Sequence, residues 1–346
     1  MEIDANEPAR LGSNENLLGP SPKALKVIQR VLSQAHIYAT VEDTGLTEKL
    51  VARIGRGIKA DQIILGNGSG DVLQKIIQTY ILPGDEIVIP TATFAIYKRA
   101  GNDHRAKVIE IPLAEDYQID FNGLLAAVTP KTKLIFLCNP NNPTGTIMTH
   151  SQMQWFLDEV PEHVTVVVDE AYVDFADNPA FPDMMVFINA GYPVIVTRTF
   201  SKLYGLASLK AGYGFGNRYR MAPIIERRHV HQSGLMMYAG AGAALEDEEH
   251  VVNTLDMARE GRAYIYKEFE RLGLSYLPTQ ALFVLLIDLP LDAQLIVDEA
   301  LEDNVILRHT AVFGMPGHVR FSIGRLQDNE RGIASLERIL KKHGVR

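Results

Sequence analysis

The sequence TFSKLYGLASLKAGYG occupies residues 199–214 and sets the frame for the rest of the chain. It continues an apolar run that begins at residue 192, and Lys202 follows that run directly after a serine. An amine at the end of a buried strand is desolvated, which lowers its pKa and makes it nucleophilic. Lys210 comes eight residues later, among small residues that let the backbone approach a ligand closely. A lysine in a solvated loop is the alternative interpretation of each position.

Short apolar runs alternate with helical patterns through the first two thirds of the chain. The runs are rich in β-branched side chains and bounded by Gly, Pro or Asp, which is typical of strands. They are QIILG (62–66), DEIVIP (85–90), AKVIEIP (106–112), TKLIFLCNP (132–140), VTVVVDEAY (164–172) and YPVIVTRTF (192–200). The alternation predicts an α/β fold with a mostly parallel central sheet between helices.

The pattern changes after residue 216 to long helical periodicity, as in residues 248–273. The last segment supplies ALFVLLIDLP (281–290), NVILRH (304–309) and HVRFSIG (318–324), with helices between and after them, which predicts a smaller α+β domain. We therefore expect an N-terminal segment (1–36) that packs on the small domain, a large domain (37–245) and the small domain (246–346).

Small and polar residues follow several predicted strands at the point where each strand ends. In an open parallel sheet this edge binds ligands. GNGSGD (66–71) follows the first strand, and its small residues suit either a phosphate or a tight turn. Asp169 ends the run VTVVV, where a buried carboxylate is costly without a cationic or hydrogen-bonding partner. A protonated heteroaromatic nitrogen is one such partner, and a helix cap is the alternative role.

Composition argues against several classes of protein. The net charge of −8, with acidic and basic residues interspersed, offers no stripe that could neutralise a nucleic-acid backbone. No run approaches the roughly 18 apolar residues of a membrane span, and the N-terminus lacks the apolar core of a signal peptide. The single cysteine, Cys138, excludes an intramolecular disulfide and fits a cytoplasmic location. Its apolar surroundings favour a buried thiol over a nucleophile.

Six motifs occur in an order that resembles a known family. They are SNENLLGPSP, NPNNPTG, VDEAY, TFSKLYGLASLKAGY, AALEDEEHV and VRFSIG. In these motifs the chain resembles pyridoxal-phosphate enzymes of fold type I, which share the aspartate aminotransferase fold, and within them the histidinol-phosphate aminotransferases. The resemblance implies pyridoxal 5'-phosphate as cofactor, bound in the large domain. It also implies amino transfer between an amino acid or amino alcohol phosphate and 2-oxoglutarate.

Other functions stay open at this level. The same cofactor supports decarboxylation or oxidation of an amino acid, and an aromatic or basic amino acid is an alternative amino donor. A cofactor-binding scaffold without activity is a third interpretation, disfavoured by the presence of both Lys202 and Arg320.

By this resemblance, Lys202 carries the cofactor as a Schiff base and moves the proton between the substrate α-carbon and the cofactor. Asp169 pairs with the pyridine nitrogen and keeps it protonated. Asn142 and Tyr172 hydrogen-bond to the phenolic oxygen. Phe94 lies over the face of the cofactor, with ordinary core packing as its alternative role.

The resemblance also places the cofactor phosphate. Its expected contacts are the backbone around Ser69, Gly70 and Asp71 and the side chains of Thr199, Ser201 and Lys210. The family usually has arginine at position 210. Lysine still binds phosphate well, but as a point charge in place of a planar guanidinium group.

The resemblance implies four substrate contacts, which are Arg320, Asn14, Tyr38 and, as a second role, Asn142. Arg320 matches an arginine that binds the substrate carboxylate, a task suited to bidentate geometry. Asn14 belongs to a segment that covers the substrate, and Asn142 lies beside it. Tyr38 matches a tyrosine that reaches the cofactor and substrate of the neighbouring subunit, which implies a homodimer with shared active sites. Arg308 either binds a distal anionic group or caps a strand edge.

His229 and His231 lie where the family usually carries a segment with an asparagine. They are candidate substrate contacts. Two histidines without further ligands at suitable spacing do not predict a metal site.

Overall fold

The structure is a computed structural model that describes residues 7–39, 44–227 and 233–345. Its strands are, in chain order, β1 (Ala9–Arg10), β2 (Ile63–Asn67), β3 (Glu86–Pro90), β4 (Lys107–Ile111), β5 (Thr132–Cys138), β6 (Thr165–Asp169), β7 (Val194–Thr199), β8 (Ala211–Gly216), β9 (Ser275–Leu277), β10 (Phe283–Ile287), β11 (Val305–Ile306), β12 (Arg308–His309) and β13 (Val319–Ser322).

The helices surround these strands. They are α1 (Pro22–Val31), α2 (Leu46–Ile54), α3 (Ser69–Tyr80), α4 (Ile96–Asp103), α5 (Phe121–Ala126), α6 (His150–Glu159), α7 (Met184–Asn189), α8 (Arg218–Glu226), α9 (Leu235–Ala244), α10 (Glu248–Leu272), α11 (Ala293–Glu302) and α12 (Leu326–Lys342). Within the three described ranges, no helix combines the length and the apolar composition needed to cross a membrane.

A seven-stranded sheet forms the centre of the chain, in the order β2-β8-β7-β6-β5-β3-β4. Strands β7, β6, β5, β3 and β4 run parallel, whereas β8 is antiparallel to both of its neighbours. Each of the six apolar runs coincides with one strand of this sheet to within two residues at its start and three at its end. The prediction of a mostly parallel central sheet is therefore confirmed.

The two faces of the sheet contact different helices because side chains alternate along each strand. Val166 and Val168 of β6 belong to one core cluster, which includes residues of α5, α6, α7 and α9. Val167 belongs to the other, which includes residues of α3, α4 and α8. Burial on both faces explains why the parallel strands read as continuous apolar runs in the sequence.

Strand β8 is an element that the sequence patterns did not predict as a strand. Its sequence is AGYGFG, and glycine is disfavoured in strands. The reason for glycine is space: a Cβ atom at Gly212 would lie 2.2 Å from the backbone nitrogen of Ser69 and 2.4 Å from the carbonyl carbon of Gly68. Gly212 thus lets β8 lie directly against the turn that begins α3.

The C-terminal part forms the smaller α+β unit that was predicted. Its antiparallel sheet has the order β12-β13-β10-β9, and α10, α11 and α12 pack together beside it. The N-terminal segment contacts this part, since β1 pairs with β11 and the Asn14 N–H donates to the Ser322 hydroxyl (2.9 Å). Helix α1 instead packs on α9, where Ile28 lies next to Gly240. The exact domain boundaries stay a prediction.

The close approach of β8 to the start of α3 gives a first prediction. Gly212→Ala should lower the free energy of unfolding by about 1–3 kcal/mol, because the new methyl group meets backbone atoms that cannot move aside. Urea unfolding measures the change. Gly317→Ala is the control, since no heavy atom lies within 4 Å of a Cβ at that position. Equal stability of the two variants would contradict the close packing of β8 on this turn.

Candidate active site

A cavity of about 520 Å³ opens at the carboxyl ends of β5, β6 and β7, next to the start of α3. The N-terminal segment and the C-terminal part complete its wall. Most of the predicted site residues line it: Asn14, Ser69, Gly70, Phe94, Asn142, Asp169, Tyr172, Thr199, Ser201, Lys202, Lys210 and Arg320. The chain therefore brings together residues that are more than 300 positions apart in the sequence.

Lys202 lies just beyond β7, with its amine inside the cavity. Its Nζ donates to the backbone oxygen of Asn14 (3.0 Å) and to that of Ser13 (3.2 Å). Burial, helped by the nearby Arg320 cation, lowers the pKa of Lys202 to about 8. The unprotonated, nucleophilic amine is thus far more populated near neutral pH than in an ordinary lysine.

The turn after Lys202 is shaped to hold the N-terminal segment over the cavity. Gly205 has φ +66°, and a Cβ there would lie 2.1 Å from the carbonyl oxygen of Gly19. Beside it the Asn16 side chain donates to the backbone oxygen of Leu203 (3.0 Å). These contacts fix the segment that carries Asn14 next to the amine of Lys202.

Asp169 ends β6 and is 1% exposed. Its Oδ2 accepts a hydrogen bond from the Tyr97 hydroxyl (2.9 Å), and its Oδ1 accepts one from Thr197 (3.1 Å). Burial raises the pKa of Asp169 to about 6, although these two hydrogen bonds and the Lys202 cation lower it. A cationic group in the cavity would stabilise the carboxylate.

Asn14 joins the N-terminal segment to Tyr172 and to the C-terminal part. Its amide donates to the Tyr172 hydroxyl (2.9 Å), and its Oδ1 accepts from Ser322 (2.7 Å). Burial raises the pKa of Tyr172 to about 12, so the phenol stays protonated near neutral pH. The phenol can therefore donate a hydrogen bond into the cavity.

Arg320 and Arg308 lie directly opposite each other on antiparallel strands, and both line the cavity. Arg320 is 4% exposed and donates to the Asn142 side chain and to the backbone oxygen of Gly12 (2.8 Å). Arg308 donates to the same backbone oxygen (2.9 Å) and to the Ser13 hydroxyl (3.1 Å). These acceptors are all uncharged.

The Arg320 guanidinium group is incompletely satisfied within the described residues. Its buried Nε has no hydrogen-bond partner there. Burial lowers the pKa of Arg320 to about 10, and the Arg308 cation adds to this effect. A buried cation with uncharged acceptors is stabilised when an anion binds.

The start of α3 forms the opposite end of the cavity. Ser69 and Gly70, in its first turn, both line the cavity, and this end of a helix attracts phosphate through unpaired N–H groups. The hydroxyls of Thr199 and Ser201 lie 2.9 Å apart beside it. Lys210 also lines the cavity and is exposed. The set has the donors and the charge that a phosphate requires.

Two predicted site residues do not line the cavity. The Asp71 carboxylate accepts from the Asn67 N–H (2.8 Å) and pairs with Lys75 (2.5 Å), and its own N–H donates to the Gly68 carbonyl. Asp71 therefore stabilises the turn, and a phosphate contact from its backbone stays a prediction. Tyr38 is 85% exposed on the surface of the single chain.

Tyr97 is a site residue that sequence reasoning missed. It follows Phe94 by three residues in the segment TFAIY, which drew attention only for the first ring. An aromatic residue at helical spacing gives no signal that separates a core ring from one whose hydroxyl contacts the site. Cys138 lies at the cavity as a buried thiol, and burial raises its pKa, which disfavours the nucleophilic thiolate.

His229 and His231 lie outside the described residues. In the part of the chain that the structure describes, there is no group of three or more His, Cys, Asp or Glu side chains placed to hold a metal ion.

The chain is similar to known proteins over nearly all of its length. The family described as aminotransferase class I and II matches residues 7–336. A histidinol-phosphate aminotransferase from Moorella thermoacetica is 38% identical over 340 residues, which are 98% of this chain and 87% of the relative. One from Symbiobacterium thermophilum is 37% identical over 341 residues, which are 98% of this chain and 92% of the relative.

A solved structure agrees with these relatives. The crystal structure of histidinol-phosphate aminotransferase from Sinorhizobium meliloti in complex with pyridoxal-5'-phosphate matches with a TM-score of 0.90 and 27% identity. The match covers 97% of this chain and 92% of that chain. The resemblance drawn from the six motifs is confirmed. The chain belongs to the class I and II aminotransferase family, and it is a pyridoxal-phosphate-dependent aminotransferase of fold type I.

Proposed function

We propose that the cavity holds pyridoxal phosphate between Lys202, Asp169 and the start of α3. The residues fit this group: a free amine suits its aldehyde, a buried carboxylate suits its ring nitrogen, and the helix terminus suits its phosphate. Thr199, Ser201 and Lys210 add phosphate contacts. When bound, the cofactor withdraws electrons from the α-carbon of the amino donor.

The proposed role of Lys202 has two parts. Its amine would hold the cofactor covalently, and the same amine, once free, would carry the proton at the donor α-carbon. Its lowered pKa supports both parts, because an amine that titrates near the working pH accepts and releases a proton readily.

The other side chains orient the reactants. Asp169 keeps the ring nitrogen protonated, and Tyr172 with Asn142 hydrogen-bonds the phenolic oxygen. Asn14 positions the Tyr172 hydroxyl, to which it donates (2.9 Å). Phe94 lines the cavity and its edge meets the Tyr97 ring (centroids 5.8 Å apart), in a position to cover one face of the cofactor.

For the substrate, we propose histidinol phosphate as amino donor and 2-oxoglutarate as acceptor. The observation that supports this proposal is the pair Arg320 and Arg308. These two cations face each other on neighbouring strands at the cavity, and their hydrogen-bond acceptors are uncharged. A phosphate monoester carries nearly two negative charges, and so does a dicarboxylate. The names of the curated relatives support the phosphate ester.

The assay that tests this proposal measures glutamate formed from histidinol phosphate and 2-oxoglutarate by the purified, cofactor-loaded chain. We expect turnover with histidinol phosphate and at least about a hundredfold lower kcat/KM with histidinol, which lacks the phosphate. Aromatic and basic amino acids form the comparison panel. Turnover of one of these donors, without turnover of histidinol phosphate, would show that the proposed substrate is wrong.

Arg308 gives a prediction on the phosphate. Arg308→Gln should raise KM for histidinol phosphate about 10- to 100-fold, because a charge-assisted hydrogen bond is lost, while turnover of a neutral amino donor changes little. Steady-state kinetics with both donors measure the difference. Arg56→Gln is the control, because Arg56 pairs with Asp183 at the surface away from the cavity. An equal loss with both donors would indicate that Arg308 only caps the strand edge.

Lys202 gives a prediction on pH. The rate at which the cofactor-free chain takes up pyridoxal phosphate covalently should rise with pH and level off above about 8, since only the unprotonated amine attacks. The visible absorbance change after rapid mixing follows this reaction. Lys202→Ala is the control and should show no covalent product after borohydride reduction. A midpoint near the ordinary lysine value of about 10.4 would contradict a lowered pKa.

We further propose that the chain is a homodimer with shared active sites. Leu25, Leu32, Ile37 and Tyr38 are exposed in one segment after the N-terminal strand, and such a patch favours a protein partner. Tyr38 would then reach the neighbouring chain's cavity. We also propose the division into residues 1–36, 37–245 and 246–346, which limited proteolysis tests, and a cytoplasmic location, which cell fractionation tests.

A mixing experiment tests whether Tyr38 acts across the dimer. Tyr38→Ala and Lys202→Ala chains, each of low activity alone, should recover about a quarter of the native activity after denaturation and refolding together. Half of the dimers are then hybrids, and each hybrid has one site with an intact Lys202 and an intact Tyr38 from the other chain. The chains refolded separately are the control. No recovery in the mixture would place Tyr38 in its own chain's site.

A further inference from the structure

The side chains of Tyr97 and Thr197 hold the carboxylate of Asp169, which we propose to contact the cofactor. Tyr97 lies in the first turn of α4 and has no exposed surface. Its ring stacks on Phe136 (centroids 5.0 Å apart, planes at 12°) and meets the edge of Phe94. The ring is fixed on both sides, so its hydroxyl has one direction available, toward Oδ2 of Asp169 (2.9 Å).

The second oxygen of the same carboxylate has its own donor. Thr197 pairs with Asp169 on the adjacent strand, is fully buried, and donates its hydroxyl to Oδ1 (3.1 Å). One side-chain donor thus comes from α4 and one from β7, and the Ala171 backbone adds a third hydrogen bond, so the carboxylate is held between separate elements. All of these donors are neutral, so the negative charge of Asp169 remains available to pair with a cation in the cavity.

We infer that Tyr97 and Thr197 are positioning residues that hold Asp169 as an oriented carboxylate facing the ring nitrogen of the bound cofactor. This inference rests on the proposed role of Asp169. It assigns to Tyr97 a task beyond core packing, and it explains a phenol hydroxyl placed at full burial against a carboxylate.

The charge state of Asp169 depends on this pair. Burial raises its pKa to about 6, and the hydrogen bond from Tyr97 is the largest effect in the opposite direction. The titratable groups that face it are Tyr97, Cys138, Tyr172 and Lys202. Burial raises the pKa of the two phenols and the thiol, so all three stay neutral, and Lys202 is the nearby cation.

Loss of one donor therefore moves the carboxyl group toward its neutral form. A hydrogen bond to a charged group is worth enough to shift a pKa by about one to two units. A neutral carboxyl group of this kind does not hold a pyridine nitrogen as a cation. Tyr97→Phe removes only the hydroxyl and keeps the ring between Phe136 and Phe94.

The first measurement uses the full chain without cofactor and records unfolding against pH. The folded-state pKa of Asp169 lies above the unfolded value of about 3.9, so its contribution to stability falls as pH rises from about 4 to about 6 and then levels, and the difference between native and variant profiles isolates it. In Tyr97→Phe the fall should continue about one to two pH units higher. Thr197→Val should shift the profile in the same direction.

The second measurement is on the cofactor-loaded enzyme. We expect about tenfold weaker retention of pyridoxal phosphate at pH 8 and about tenfold lower kcat, with KM for the amino donor nearly unchanged. Tyr266→Phe is the matched control, because its hydroxyl accepts from the Thr279 N–H (2.6 Å) and neither residue lines the cavity. It should leave the pH profile and the cofactor affinity as in the native chain.

The outcomes separate a positioning role from a structural one. If both variants lose stability equally at every pH, with the shape of the profile unchanged, the pair only fills the core and the inference is wrong. The profile of the cofactor-free chain involves no amino donor, so it holds whether or not histidinol phosphate is the substrate. Should Tyr97→Phe fail to fold, Thr197→Val decides the question by the same measurement.

Discussion

A carboxylate buried at the end of β6 is the constraint on which the rest of the site depends. Asp169 is removed from water at the point where the strand meets the cavity, and burial alone would neutralise it. The hydroxyls of Tyr97 and Thr197 and the backbone N–H of Ala171 are neutral donors that stabilise the carboxylate without cancelling its charge. The carboxylate thus remains available for a cation that enters the cavity, which is the property a pyridoxal phosphate site requires at the ring nitrogen.

Burial also disfavours the charged form of the cations in the cavity, and for them it lowers the pKa. Lys202 and Arg320 both have lowered pKa values because of burial, and Arg320 faces Arg308 across the strands. Lys210 adds charge at the other end. Positive groups held close together in low dielectric destabilise the cofactor-free chain, so anions that bind there also stabilise the fold. The cavity is therefore prepared for two anionic groups, one at each end.

The sequence alone predicted those elements that show a recognisable pattern within their own residues. The β-branched runs identified six strands of the central sheet. Asp169 stood out because a carboxylate at the end of a buried strand is costly without a partner, whereas the roles of Lys202 and Arg320 followed from the order of the motifs and the family resemblance. Strand β8 was missed because a glycine is needed at Gly212, where the strand packs against the backbone of Ser69 in a distant segment of the chain. Tyr97 was missed for the same reason, and so were the side-chain partners of Asp71, since these contacts are known only once the chain is folded.

Side chains alternate between the two faces of the sheet along β6 and β7, so neighbouring residues of the site motifs make contacts on both faces. Asp169 and Thr197 point toward the cavity side, whereas the next residues along each strand, Glu170 and Arg198, meet on the other face of the sheet. The Glu170 side chain is fully buried, and its Oε2 accepts from the Arg198 Nε (2.8 Å). This pair ties together the two strand ends that carry Asp169 and Thr199. Removal of Arg198 would leave the buried Glu170 carboxylate unpaired, at a cost of about 3–5 kcal/mol, so a change on the far face would reach the cavity through the strand ends.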